Sequence, residues 1–282
     1  MKHVIVCLCA GILVIFAAGG LVLTGCSDDD PASSHGTAPE IPPQSTFMMD
    51  YSDFEIEQTG TKKESVVMTK ANWGYAALNV AVWNTVLTVT LVVPVAAFVE
   101  AFQHNAVWQP EDNSWEWAYS FYAGGLLHTA RLNGRVVDDQ VQWNMYISKQ
   151  DAYTNFQWFT GEHDVAATEG EWLLNKDPDD PTAFIRIDWH RNTTESTADI
   201  KYTNVIPDDD ENGGYIAYGI TDDDTHDRFY EIYNKGLDNL TDIEWNYTSK
   251  AGRIMDEIQF EDTEWHCWDE ILDDVECPVI VE

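Results

Sequence analysis

The chain has 282 residues, 44% of them hydrophobic and 12 of them tryptophan, which is enough for a large packed domain and too apolar for a disordered acidic chain. Its 49 acidic residues face 15 basic ones, and a formal charge of -34 excludes nucleic acid and anionic lipid headgroups as partners. The acid is spread over many turns and not gathered into one tail, which is the pattern of a solvated surface.

Lys2 and His3 precede an apolar run from Val4 to Leu23, the n-region and h-region of a secretory signal peptide. The small pair Thr24-Gly25 then leads to Cys26. Leu23-Thr24-Gly25-Cys26 resembles the lipobox of bacterial lipoproteins, a resemblance that covers this N-terminal stretch alone. It implies a signal peptide over residues 1–25, cleavage before Cys26, and lipidation of Cys26 by a diacylglyceryl thioether and an N-acyl chain. Each buried methylene contributes about 0.8 kcal/mol and stable anchoring takes two or more chains, so the mature protein is expected to be tethered and not spanning. Ser27 replaces the aspartate that retains lipoproteins in the inner membrane. Ser27-Asp28-Asp29-Asp30 is similar to the acidic export tag of surface-exposed lipoproteins in some Gram-negative bacteria, which implies an outer-membrane, cell-surface location.

Residues 26–48 read as the lipidated cysteine followed by a disordered linker, because 27–46 is rich in Pro, Ser, Gly and acid. Extended at about 3.1 Å per residue, that spacer would reach roughly 60 Å. One globular domain is expected over 49–282, helical over 64–104 and an antiparallel sheet over 114–268.

Between Lys70 and Glu100 no residue is charged, a length that must be weighed as a membrane span. Asn79, Asn84, Thr85, Thr88 and Thr90 dilute it, and a stop-transfer helix conflicts with delivery of a lipoprotein to the outer membrane. The expectation is one or two buried core helices broken near Pro94.

From Ser114 the hydrophobic period becomes two. Trp115, Trp117, Tyr119 and Phe121 share one face, and the alternation returns at Val141 to Ile147, Ile185 to Trp189, Ile200 to Tyr202 and Ile243 to Tyr247. Asn133-Gly134, Glu169-Gly170, Asn212-Gly213-Gly214 and Ala251-Gly252 read as hairpin turns, and residues 177–181 as a loop. The predicted fold is α+β: a curved, half-barrel-like antiparallel meander of about eight to ten strands packed around the apolar N-terminal helices.

No nucleophile elbow, zinc-protease helix, phosphate loop or dinucleotide fingerprint occurs, and His163, His190 and His226 sit beside acid, which a chain this acidic makes commonplace for histidines. A non-enzymatic protein is expected. Asp208, Asp210 and Asn212 followed by Gly213 match the first half of a calcium loop, a tentative metal site that lacks the bidentate glutamate because Gly219 stands at the twelfth position. Cys7 and Cys9 leave with the signal peptide and Cys26 is consumed by lipid, so Cys267 and Cys277 are expected to form a disulfide. A metal site on His266, Cys267 and Asp269 is the rival, weakened because strand neighbours point to opposite faces.

Most Trp and Tyr residues fall on the apolar strand face, where a core needs them. The functional expectation is a monomeric lipid-anchored protein that holds an apolar small molecule between sheet and helices. The alternative is a surface recognition module for a glycan or a protein.

Overall fold

Every strand of the sheet hydrogen-bonds to its sequence neighbour, because short alternating segments joined by tight turns have no cheaper partner. The computed structural model describes residues 36–54 and 69–278, so the expected signal peptide, the lipobox-like stretch and Cys26 lie outside the described residues. The strands are β1 (Val107–Gln109), β2 (Ser114–Ala123), β3 (Leu126–Val137), β4 (Gln140–Lys149), β5 (Tyr153–Asp164), β6 (Glu169–Asn175) and β7 (Ala183–Asn192). They continue as β8 (Thr197–Asn204), β9 (Tyr215–Ile220), β10 (Arg228–Asn234), β11 (Asn239–Trp245), β12 (Gly252–Asp256), β13 (His266–Trp268) and β14 (Asp274–Val275).

This is one open antiparallel meander of 14 strands, in the order β1 to β14. The α+β class and the curved meander are as expected, but the sheet is longer than eight to ten strands and runs beyond 114–268. The edge strands β1 and β14 and the adjoining β13 have three, two and three residues, too few to show alternation in sequence. Short edge strands also limit edge-to-edge association.

Three of the four expected glycine turns place their glycine in a strand. Gly134 lies opposite Trp143, Gly170 opposite Trp189 and Gly252 opposite Trp268, and Gly161 completes the set opposite Trp172. In each case an added Cβ would meet the indole at 2.1 to 2.5 Å. These glycines leave room for a tryptophan lying across the neighbouring strand, which is why they read as turns and are not. The turns use other residues. Asp138 and Asp139 have φ of 49° and 66°, and Gly124 and Gly125 have φ of 55° and 77°, so both two-residue loops adopt the left-handed geometry that fits strand twist.

Two helices cover one face of the sheet: α1 (Ala71–Thr90) and α2 (Val92–Ala101), bent by 73° at Leu91. The break precedes Pro94, which sits in the first turn of α2, where a missing N–H costs nothing. No single helix among the described residues is long and apolar enough to cross a membrane. A one-turn helix, α3 (Glu257–Phe260), is capped by Asp256.

The expected linker is shorter than its composition suggests. Pro42, Thr46, Phe47 and Met49 are buried, and residues 44–46 and 52–54 form 3-10 turns. Apolar side chains at Ile41, Phe47, Met49 and Phe54 give this stretch a core to join, and the Pro and Ser around them mask it in sequence.

Candidate functional site

The two faces of the sheet are chemically distinct. On the inner face, toward the helices, Leu132, Met145, Phe159, Trp172, Ile187, Tyr202 and Ile216 form cross-strand rows that are almost fully buried. Residues 46–54 occupy the space between this face and the helices. Phe47 stacks on Phe98 of α2 with centroids 4.6 Å apart and meets Phe159 at 4.9 Å and Trp172 at 5.6 Å. Farther along, Tyr51 stacks on Tyr230 and Phe54 meets Trp245 edge-on at 4.9 Å.

Tyrosine hydroxyls fix the backbone of that strap. Tyr202 donates to the carbonyl of Phe47 at 2.9 Å and accepts from the Met49 amide at 3.1 Å, while Tyr230 donates to the carbonyl of Asp50. Burial pushes both phenols far above their ordinary range. The Trp245 indole donates to Asp53 at 3.0 Å. An apolar guest on the inner face would therefore have to displace 46–54.

The outer face carries an open groove of about 620 Å³ over β2 to β5, closed on one side by the β1–β2 turn. Its floor is the polar half of the period-two pattern: Arg131, Asn133 and Arg135 on β3, Gln142, Asn144 and Tyr146 on β4, and Asn155 on β5. Register sets Glu116, Asn133, Asn144 and Thr160 side by side, with Arg135, Gln142, Glu162 and Glu171 as the next row. Arg131 donates to Glu116 at 3.3 Å and to the Asn155 side-chain Oδ1 at 3.0 Å. Arg135 holds the Gln142 side-chain Oε1 through two donors at 3.1 and 2.9 Å. Gln157 donates to the Asn144 side-chain Oδ1 at 2.9 Å, and Arg131 lies 5.5 Å from the centre of the Tyr146 ring. A shallower depression of about 240 Å³ continues the groove to Glu162, Glu171 and Leu173. A second outer groove of about 560 Å³ crosses β6 to β10 and includes His190, Asp199, Lys201, Phe229 and Glu231.

None of the main groove residues was singled out as a binding residue in the sequence, and Asn133 and Gly134 read there as a turn. The available signal is "RLNGR" facing "QWNMY", where the polar positions are guanidinium and amide groups in a chain whose charged residues are mostly acid.

The calcium-loop residues do not converge. Asn212 donates its amide to the Ile206 carbonyl at 2.6 Å, the Asp209 carboxylate accepts from the Glu211 amide at 2.8 Å, and Asp208 takes the left-handed conformation that closes the turn. Among the described residues no group of three or more His, Cys, Asp or Glu could hold a metal ion. Asp208, Asp210 and Asn212 lie in an acidic turn in which Asn212 and Asp209 bond to the backbone of the same loop. Cys267 and Cys277 are joined as a disulfide with Cα atoms 5.1 Å apart. His266 stacks on Phe260 and shares a 3.1 Å hydrogen bond with Asp262, which removes it from any site with Cys267 and Asp269.

The three weighed histidines are separate. His163 is buried between Trp143 and Trp189, its Nδ1 bonded to the Asp164 carbonyl at 2.6 Å, and burial holds its pKa below the ordinary value. His190 pairs with Asp199 at 3.0 Å on the outer face, and His226 lies 3.9 Å from Glu244. Comparison of the chain with protein-family models, curated proteins and solved structures finds no match.

Proposed function

We propose that the chain is a lipid-anchored surface protein that recognises a hydroxyl-rich polar ligand, a glycan, in the groove over β2 to β5, without chemical conversion. The observation that carries this reading is the groove's lining. Planar amides and guanidinium groups offer paired donors and acceptors to neighbouring hydroxyls, and the Tyr146 ring offers an apolar face to the C–H side of a sugar. Each lies on a strand of a wide sheet, so the array is held rigidly before a ligand arrives.

The packing of 46–54 against the inner face favours this reading over an apolar guest there. Location rests on the lipobox resemblance: anchoring at Cys26 would hold the domain at a membrane, and Asp28 to Asp30 would direct it to the outside. A screen of the purified protein against neutral and acidic oligosaccharides tests recognition. Binding should be found and should fall at least about tenfold in Arg135→Ala and in Asn144→Ala, each removing paired hydrogen bonds. Binding that survives the double variant, or a screen with no ligand, rejects the groove. Mass spectrometry of the N-terminus tests the anchor separately, and an unmodified Cys26 rejects it.

A further inference from the structure

The most apolar exposed surface belongs to α1. Leu78, Val82, Val86, Val89 and Val92 are 57, 56, 50, 69 and 44% exposed, at spacings that place them along one side of the helix and over the bend into α2. Solvent-exposed aliphatic side chains in a continuous stripe mark an interaction surface. The opposite side of α1 is spoken for, because Ala76, Ala77, Val80 and Leu87 are buried and the helix packs on β12, β13 and β14.

Two further features identify what meets the stripe. No charged residue occurs from Ala71 to Val99, although the chain as a whole carries -34. The threonines on this surface also turn their hydroxyls back onto the helix: Thr85 donates to the Ala81 carbonyl and Thr90 to the Val86 carbonyl, both at 2.8 Å, and Thr88 donates to Asn84 at 2.9 Å. The hydroxyls of Thr85, Thr88 and Thr90 are thereby satisfied within the helix, which lowers the cost of placing this face against hydrocarbon.

We infer that the exposed face of α1 lies against the surface of a lipid bilayer of low charge. The inference rests on the anchoring reading for its proximity. Gly36, where the described residues begin, is about ten residues beyond Cys26, a covalent reach of at most about 35 Å. A short acyl tether raises the local concentration of membrane at the domain, so a modest apolar stripe suffices as the second contact. The acidic surface elsewhere on the domain would have to be desolvated against hydrocarbon, which disfavours it as the docking face.

The test uses the full acylated protein in phosphatidylcholine vesicles, with an environment-sensitive fluorophore on Val86→Cys and, as control, on Val136→Cys at the exposed end of β3. The Val86 probe should emit at shorter wavelength and be quenched by phosphatidylcholine brominated in its acyl chains, and the Val136 probe should do neither. Adding Val82→Asp and Val89→Asp should reduce the Val86 quenching about fivefold or more. These positions are solvent-exposed, so the variants should keep the native melting temperature. A Val86 probe that remains in water, or one shielded in vesicle-free detergent by a second copy as the protein concentration rises, overturns the inference. The N-terminal mass separates the two readings: acylated Cys26 with an aqueous Val86 probe leaves anchoring intact and rejects docking, whereas quenching without acylation supports docking and rejects the anchor.

Discussion

Gly161 on β5 and Trp172 on β6 face each other in register, and the indole lies so close over the glycine that a Cβ there would sit 2.1 Å from Trp172 Cε3. Trp172 is 1% exposed and also meets Phe47 and Phe98, so it cannot swing aside without opening the core between sheet and strap. Gly161→Ala should therefore destabilise the domain by about 2–3 kcal/mol, the cost of overpacking a filled interior. Trp172→Leu in the same background should recover part of that loss, giving strong non-additivity in a double-mutant cycle. Denaturant unfolding of the four proteins measures it, and additive effects would show that the close approach carries no strain.

The same pairing explains how much of the fold was legible. Period-two alternation identified β2, β4, β7, β8 and β11 because each has one buried and one solvated face. Glycine misled at 134, 170 and 252, since its small size can serve a turn or a cross-strand tryptophan and local sequence does not distinguish them. The strap at 46–54 was hidden among Pro and Ser, and the fixing tyrosines Tyr202 and Tyr230 lie far away in the chain. The outer groove was invisible for a related reason: Arg131, Gln142 and Asn155 meet only once three strands are in register.

Asp256 ties α1 to the sheet. Its buried carboxylate accepts from Tyr75 at 2.9 Å, Thr241 at 2.6 Å, Asn239 at 3.0 Å and the Gln259 amide at 3.0 Å. Burial raises its pKa, but these four donors outweigh burial and leave it below the ordinary value. A depressed carboxylate contributes stability above its unfolded pKa and loses it as pH falls through the folded pKa. Asp256→Ala should cost about 3 kcal/mol at neutral pH, because it strands four donors, one buried at Thr241 and three partly buried, whereas Tyr75→Phe should cost about 1 kcal/mol. Urea titrations would show it, and equal losses in the two variants would place the weight of the network on the helix contact alone.

The Cys267–Cys277 disulfide closes a loop of sequence separation 10 and pins the chain beyond β13. Chain entropy puts such a closure at about 2–3 kcal/mol. Cys277→Ser should lower stability by up to that amount while leaving the groove over β2 to β5 unaffected, since that groove lies at the other end of the strand order. Non-reducing peptide mapping should recover the two cysteine peptides as one species in the parent protein. Quantitative alkylation of both thiols without reductant would remove the bridge.

Asp242 on β11 lies directly opposite Glu231 on β10, two residues from Glu244, with Tyr215 donating to Glu231 at 2.6 Å. Burial, then Glu231 and Glu244, push its pKa up to about 6. An acid raised in the folded state binds its proton more tightly there, so stability falls as pH rises through the window from about 4 to about 6, and the penalty is fully present above it. Asp242→Asn mimics the protonated form at every pH. The variant should match the parent near pH 4 and be more stable by about 1 kcal/mol near pH 7.5, a figure already reduced for solvent screening at a partly exposed site. Subtracting the two denaturation curves at each pH cancels the titration of the other carboxylates. A difference that is the same at both pH values would show that Asp242 ionises normally and that the cross-strand carboxylates are screened from one another.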